Sequence, residues 1–282
     1  HNQEHVIKRL EALEDDAAKK LISQVAMIDW KVVESINDKS DSSSEDKKIE
    51  PLEAVEIKDI KANKEKYTAK GVEAIKNGKV AAVLLAGGQG TRLGLDKPKG
   101  TLNVGVNKDL FLFGQLIRNL LDVVDMTGAY VPLYIMTSDK NNEDTVAFFE
   151  EHNYFGYDKD YVKFFIQSMV PSVDYNGKLY MESTDSLAMS PNGNGGWFLS
   201  LMAAGLDKDM EEKGVEYVNV FAVDNILQRI ADPAFIGATM LAGAECGSKV
   251  VRKCEPEEKV GVMCRVNGHP SIIEYYEMSE EL

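Results

Sequence analysis

The run Val80-Ala81-Ala82-Val83-Leu84-Leu85 is apolar at every position and breaks at Gly87-Gly88-Gln89-Gly90. A strand with one wet face would alternate polar and apolar residues. An unbroken run of this length therefore marks a strand buried on both faces, the pattern of a parallel sheet covered by helices. The downstream segments keep alternating. Residues 111–124 read as a helix, 130–137 as a strand, 142–152 as a helix and 162–166 as a strand. A turn at Tyr175-Asn176-Gly177-Lys178 predicts a small hairpin, residues 194–204 open another helix, and 217–223 form a strand ending at Asp224. This order predicts an α/β fold with parallel strands and helices on both faces.

Upstream, Val6, Leu10, Leu13, Ala17, Leu21, Val25 and Ile28 recur at three- and four-residue steps, which predicts an amphipathic helix over residues 5–36. A second helical segment spans 64–77. Between them the chain is rich in Ser, Asp and Lys and has little to bury, so a mobile serine-rich linker is expected near 37–50. The expected organisation is a helical N-terminal segment, residues 1–70, and a larger domain over 71–282. His1, Glu4 and His5 have the spacing of metal ligands on a helix, and equally that of solvated residues at a chain end.

With 46 acidic residues against 32 Lys and Arg, the net charge is −14. Such a surface repels phosphate backbones and anionic lipid, so neither nucleic acid nor a membrane is expected as a partner. Any anionic ligand needs a local basic pocket. Cys246, Cys254 and Cys264 are odd in number and include no Cys-x-x-Cys pair, which argues against a disulfide framework and a zinc knuckle. No run of about 18 apolar residues is present and the start lacks a basic-then-apolar leader, so the chain reads as cytoplasmic. It begins at His1 rather than Met and stops at Leu282 without a terminal domain signal, so a piece of a longer protein is expected.

The chemistry concentrates in Leu84-Leu85-Ala86-Gly87-Gly88-Gln89-Gly90-Thr91-Arg92-Leu93-Gly94. A glycine turn after a buried strand lets consecutive N–H groups close around phosphate oxygens, because no Cβ blocks the approach. It is not a P-loop, since no Gly-Lys-Ser/Thr follows. It also misses the dinucleotide fingerprint by one residue, which counts against a dehydrogenase. Arg92 offers a planar fork of donors, and Lys97 and Lys99 follow around Pro98 and Gly100. Taken as bare chemistry, the segment is a phosphate site or an ordinary strand-to-helix turn.

The stretch from Leu85 to Gly94, followed by Pro98-Lys99-Gly100, closely resembles the signature of the UDP-sugar pyrophosphorylases, in particular the UDP-N-acetylhexosamine pyrophosphorylase branch. The resemblance continues through Phe164-Phe165-Ile166-Gln167-Ser168-Met169-Val170-Pro171, Pro191-Asn192-Gly193-Asn194-Gly195-Gly196 and Val223-Asp224-Asn225-Ile226-Leu227. It extends on through Ala231-Asp232-Pro233, Val260-Gly261-Val262-Met263-Cys264-Arg265-Val266 and Glu274-Tyr275, so it covers residue 80 to the end. It implies a Rossmann-like, GT-A-like nucleotidyltransferase domain with a mixed sheet flanked by helices and a helical N-terminal extension. The domain is expected to be cut short before its C-terminal part, beyond which the family places another lysine and further sugar contacts.

The resemblance also implies roles. Main-chain groups of Leu85, Ala86, Gly87 and Gly88 would hold the nucleotide. Gln167 would read the uracil edge, which an amide suits because it offers both a donor and an acceptor. Gly193 would meet the base, and Asn194 the sugar. Arg92 would neutralise the departing pyrophosphate, and Lys99 would follow charge developing at the reacting phosphate. Asp224 would hold a magnesium ion. Gly261, Glu274 and Tyr275 would line the sugar pocket. The implied reaction joins UTP and a sugar 1-phosphate, foremost N-acetylglucosamine 1-phosphate, to give UDP-sugar and pyrophosphate. The same reaction on glucose or galactose 1-phosphate is one alternative, and a non-catalytic UDP-sugar-binding module is another. The chain departs from the family at Asn192, where the family has Asp, and at Tyr276, where it usually has Ser. The oligomeric state stays open.

Overall fold

A computed structural model of the chain describes residues 1–35, 48–90, 94 and 96–277. Most of the expected serine-rich linker, and Arg92, lie outside the described residues. The chain divides into two compact units, His1–Asn37 with Glu65–Gly243, and Asp38–Lys64 with Ala244–Leu282. This division does not coincide with a boundary near residue 70.

The first unit is built on a four-stranded sheet in the order β4-β3-β2-β7, parallel throughout, from β2 (Val80–Leu85), β3 (Leu133–Thr137), β4 (Val162–Ile166) and β7 (Tyr217–Ala222). The apolar run is explained by where alternate residues go. Val80, Ala82 and Leu84 enter one core with α5 (Lys64–Lys76), α6 (Leu112–Thr127), α7 (Asn142–Glu151) and α10 (Pro233–Leu241). Ala81 and Val83 enter a second core with Leu201 of α8 (Trp197–Ala203) and Met210 of α9 (Leu206–Glu212). Both faces are covered, as a parallel sheet requires.

Local chemistry sets the element ends. Helix α6 runs three residues past the expected 124 and stops at Gly128, whose φ of 71° provides the left-handed cap. Strand β3 begins at Leu133 rather than 130 because Pro132 has no N–H for the ladder. Tyr130 instead stacks on Tyr161 and meets Tyr157 edge-on, each at 5.1 Å. A Cβ added at Gly71 would collide with the Pro233 carbonyl, and one at Gly237 with the Tyr67 carbonyl, so α5 and α10 cross backbone to backbone. On the second face, Asp209 of α9 accepts from the Tyr134 hydroxyl at 2.6 Å, from Lys163 at 2.5 Å and from Lys213 at 2.6 Å. Burial would raise that carboxyl, but the three donors outweigh it and hold it at about 2.

The expected single helix over 5–36 is instead three: α1 (Glu4–Leu10), α2 (Asp15–Ala26) and α3 (Trp30–Ser35). The chain folds back to pack Val6, Leu21, Ile28 and Val33 against Leu179 and Leu187. Those two residues extend the antiparallel pair β5 (Met169–Pro171) and β6 (Met189–Pro191) through isolated bridges. Acidic Asp15 and Asp16 favour a fresh helix start, and the Asp29 carboxylate accepts from the Lys31 N–H at 3.0 Å to open the third. Gln3 pairs with the hairpin backbone by donating to the Gly177 carbonyl and accepting from the Leu179 N–H, and Gln24 accepts from the Leu187 N–H. These contacts put the N-terminal helices in the first unit. They also occupy the terminal histidines: His1 bonds Glu34 at 2.7 Å and stacks on Trp30, and His5 bonds the Leu179 carbonyl at 2.8 Å.

The second unit holds the antiparallel sheet β1-β8-β9, from β1 (Ile49–Pro51), β8 (Val262–Val266) and β9 (His269–Ile273), together with α4 (Ile57–Ala62). Asn267 and Gly268 both take positive φ, 51° and 84°, in the two-residue turn between β8 and β9. An Asn-Gly pair suits that turn because its twist matches that of the strands.

Candidate functional site

Ligand sites of open parallel sheets sit beyond the carboxyl ends of the strands. There the first unit brings together four segments far apart in sequence. The loop after β2 is anchored by the Ala86 N–H donating to the Met136 carbonyl at 2.8 Å. It then crosses beneath the end of β4. A Cβ added at Gly87 would lie 2.8 Å from Gln167 Oε1, whereas one at Gly88 would meet nothing within 4 Å. The loop is thus packed on one side and open on the other.

Gln167 is 5% exposed, deep for a glutamine at a strand end. Its N–H donates to the Thr137 carbonyl at 2.8 Å, and its side-chain nitrogen donates to the Gly193 carbonyl at 2.7 Å. Gly193 takes a φ of 81°, a conformation glycine adopts without strain. The buried Ser200 hydroxyl accepts from the Ser168 N–H at 2.9 Å, fixing the backbone beside Gln167. Asn192, oriented to satisfy its amide, donates to the carbonyls of Ser168 and Gly193 at 3.2 Å each. A carboxylate in its place could not donate to either. The expected sugar contact Asn194 opens a short 3-10 turn, Asn194–Gly196, and is exposed.

On the charge-bearing side, Gln89 and Pro98 form an antiparallel bridge, with the Gly90 N–H donating to the Lys97 carbonyl at 3.1 Å. That bridge ties residues 97–101 to the glycine loop. Gly100 lies where a Cβ would run into the ring of the fully buried Phe113, so Lys99 is carried on a segment pressed against α6. Lys99 Nζ meets Asp224 Oδ1 at 2.6 Å, with side chains 29% and 59% exposed. The expected catalytic lysine and the expected metal carboxylate are therefore partners in one ion pair. Among the described residues no three His, Cys, Asp or Glu side chains converge as a metal would require.

Gly261, Glu274 and Tyr275 belong to the second unit. A Cβ added at Gly261 would lie 3.2 Å from Glu274 Oε1, so these two are neighbours there. Tyr275 packs edge-on against Tyr276.

One residue of the site escaped the sequence reading. Asn141, 1% exposed at the start of α7, donates through Nδ2 to the carbonyls of Ala86 at 3.0 Å and Gly88 at 3.3 Å. The available signal was an Asn at a predicted helix start, which reads as an ordinary N-cap.

The family described as UTP–glucose-1-phosphate uridylyltransferase matches residues 23–282. The chain belongs to that family. It is 45% identical over 223 residues to UDP-N-acetylhexosamine pyrophosphorylase-like protein 1 of Mus musculus, covering 77% of this chain and 44% of that protein. It is 36% identical over 294 residues to a probable UDP-N-acetylglucosamine pyrophosphorylase of Schizosaccharomyces pombe, covering 99% and 62%. The chain thus spans about half the length of the curated relatives it matches. Among solved structures it resembles the uridine diphosphate N-acetylglucosamine pyrophosphorylase of Trypanosoma brucei in complex with inhibitor. That match has a TM-score of 0.82 and 31% identity, covering 98% of this chain and 59% of the other. The structural match and the parallel sheet with helices on both faces bear out the nucleotidyltransferase-like fold of the uridylyltransferase family. No helix among the described residues is long and apolar enough to cross a membrane.

Proposed function

We propose that the protein to which this uridylyltransferase-family chain belongs joins UTP and N-acetylglucosamine 1-phosphate to give UDP-N-acetylglucosamine and pyrophosphate. The observation that carries the reading is Gln167, a buried amide held at the strand ends between Gly87 and the Gly193 carbonyl. Because Gly193 accepts from Nε2, the amide cannot turn over without setting Oε1 against a carbonyl. Its acceptor end therefore keeps a fixed place, while Nε2 is taken up by Gly193 and lies 3.3 Å from the Asn192 side-chain amide. Uracil presents a donor beside an acceptor and cytosine the reverse, so a locked amide suits UTP and disfavours CTP. The preference for the acetamido sugar rests on the relatives, which carry N-acetylglucosamine or N-acetylhexosamine in their names.

No protein nucleophile is needed. An oxygen of the sugar phosphate attacks the α-phosphorus of UTP in line, that P–O bond forms as the bond to the β-phosphate oxygen breaks, and pyrophosphate leaves. The chain's part is to position two polyanions and offset their charge. Lys99 supplies a mobile point charge at the phosphates, and Arg92 would take the departing pyrophosphate. Magnesium fits a site with a single exposed carboxylate, since it binds one or two carboxylates and fills its remaining positions with water and substrate phosphates. Asp224 would hold it, and the ion would screen the phosphate charge from the incoming oxygen. Asn194, Gly261, Glu274 and Tyr275 remain the candidates for the sugar. Two exposed unpaired cysteines, Cys246 and Cys254, support a reducing compartment such as the cytoplasm.

The test is pyrophosphate release from UTP and magnesium, with N-acetylglucosamine 1-phosphate and glucose 1-phosphate assayed in parallel. Faster turnover with the acetamido sugar is expected. Equal or faster turnover with glucose 1-phosphate would overturn the sugar assignment. No release with either, and no UTP binding by calorimetry, would overturn the reaction.

A further inference from the structure

We infer that Asn141 is the positioning residue of the nucleotide loop, fixing which way its amide groups face. The inference deepens the UTP reading above and rests on it. Asn141 makes three hydrogen bonds from a nearly sealed position: Nδ2 donates to Ala86 O at 3.0 Å and Gly88 O at 3.3 Å, and Oδ1 accepts from the Ser138 N–H at 2.8 Å. The last bond ties the side chain to the turn after β3. The first two draw two carbonyls of the glycine loop inward, from a residue more than fifty positions away in sequence.

Peptide units are planar and trans, so each carbonyl opposes the N–H of the residue that follows it. With the Ala86 and Gly88 carbonyls turned toward Asn141, the N–H groups of Gly87 and Gln89 face away from it. Among the described residues neither of these N–H groups donates to an acceptor. Among the described residues nothing lies within 4 Å of where a Gly88 side chain would stand. Two unpaired donors beside an open face are what an anionic or carbonyl-bearing ligand would take. The loop is also held by the Ala86 N–H on the Met136 carbonyl, the Gly90 N–H on the Lys97 carbonyl and the Lys99 N–H on the Gly88 carbonyl at 3.5 Å. Without Asn141 the peptide units between these anchors would gain orientations, and UTP would have to order them on binding.

The experiment compares Asn141→Asp with the wild-type chain. Aspartate keeps the shape and the acceptor for Ser138, but it replaces the two donations to the loop with a buried carboxylate oxygen set against two carbonyl oxygens. The expected result is UTP binding weakened about tenfold or more by calorimetry. Amide hydrogen exchange should quicken at residues 86–90 ahead of the rest of the ligand-free variant, while the far-UV spectrum stays near wild type and the thermal midpoint falls as two buried carbonyls lose their donor. Asn141→Ser, whose hydroxyl can still accept from Ser138 but cannot span both carbonyls, should show the same pattern and stands in if the charge itself unfolds the chain. Wild-type UTP affinity in either folded variant, or unchanged exchange at residues 86–90, would overturn the inference. Failure of the wild-type chain to bind UTP would overturn the nucleotide reading instead, and would show itself before any variant is made.

Discussion

The two sides of the strand-end site are held in different ways. On the side of Gln167 the polar groups are buried and paired with backbone: Gln167 with Gly193 and Thr137, Ser200 with Ser168, Asn141 with Ala86 and Gly88. On the side of Lys99 the charged groups, a half-buried lysine and an exposed aspartate, are paired with each other. Burial makes each misplaced hydrogen bond costly, so the first side is fixed before a ligand arrives. A solvent-accessible ion pair is worth little, so the second can be taken apart by a ligand that offers better partners. On the proposed reading, base recognition would be built in and charge handling rearranged on binding.

The strongest way to break this contrast is Lys99→Ala. A charge that acts on the transition state should cost far more in turnover than in binding. The expected outcome is a kcat lowered by about 100- to 1,000-fold with UTP affinity reduced only a few fold. Steady-state kinetics beside calorimetry separates the two. Equal losses in both would mean that Lys99 is a binding residue fixed like those on the other side.

Gln167→Ala probes the fixed side and should do the reverse. The Michaelis constant for UTP is expected to rise about tenfold and the preference for UTP over CTP to relax by a similar factor, with kcat changed less. A UTP to CTP ratio equal to that of wild type would remove the locked amide from the account of base choice.

The fold was legible in the sequence where one physical rule dominated. The apolar run at residues 80–85 could only be a doubly buried strand, and its bounds match those of β2. The break of the N-terminal helix into three was hidden because three-residue periodicity survives a chain reversal, and the restart signals, Asp15 and Asp16 and then Asp29, also fit the polar face of one continuous helix. Gly268-His269-Pro270 reads as a turn, but the β8–β9 turn is Asn267-Gly268, the pair that can take positive φ, and His269 already opens β9. At the strand ends Gly87, Gln167 and Gly193 lie side by side, brought there by the loop after β2 and the end of β4. Asn141 was not legible. Its partners are backbone carbonyls, which leave no mark in the sequence, and its type is what any helix start would show.

The smallest effect sharpens the comparison by separating charges that move from charges that do not. Asp209 holds three donors at once and is only 15% exposed, whereas Asp224, 59% exposed, has one ion-pair partner among the described residues. With its carboxyl held at about 2, below the ordinary 3.8, Asp209 contributes stability that is fully present above pH of roughly 4 to 5. That contribution fades as pH falls through about 2. Asp209→Asn should therefore lower the unfolding free energy by about 1–2 kcal/mol at pH 6. The wild-type and variant urea midpoints should draw together between pH 4 and pH 2. Asp224→Asn should change the unfolding free energy by no more than about 0.5 kcal/mol at either pH, as expected of a solvent-accessible pair. A larger loss from Asp224→Asn would mean that its pair with Lys99 is part of the scaffold, and that a ligand would have to overcome it rather than simply replace it.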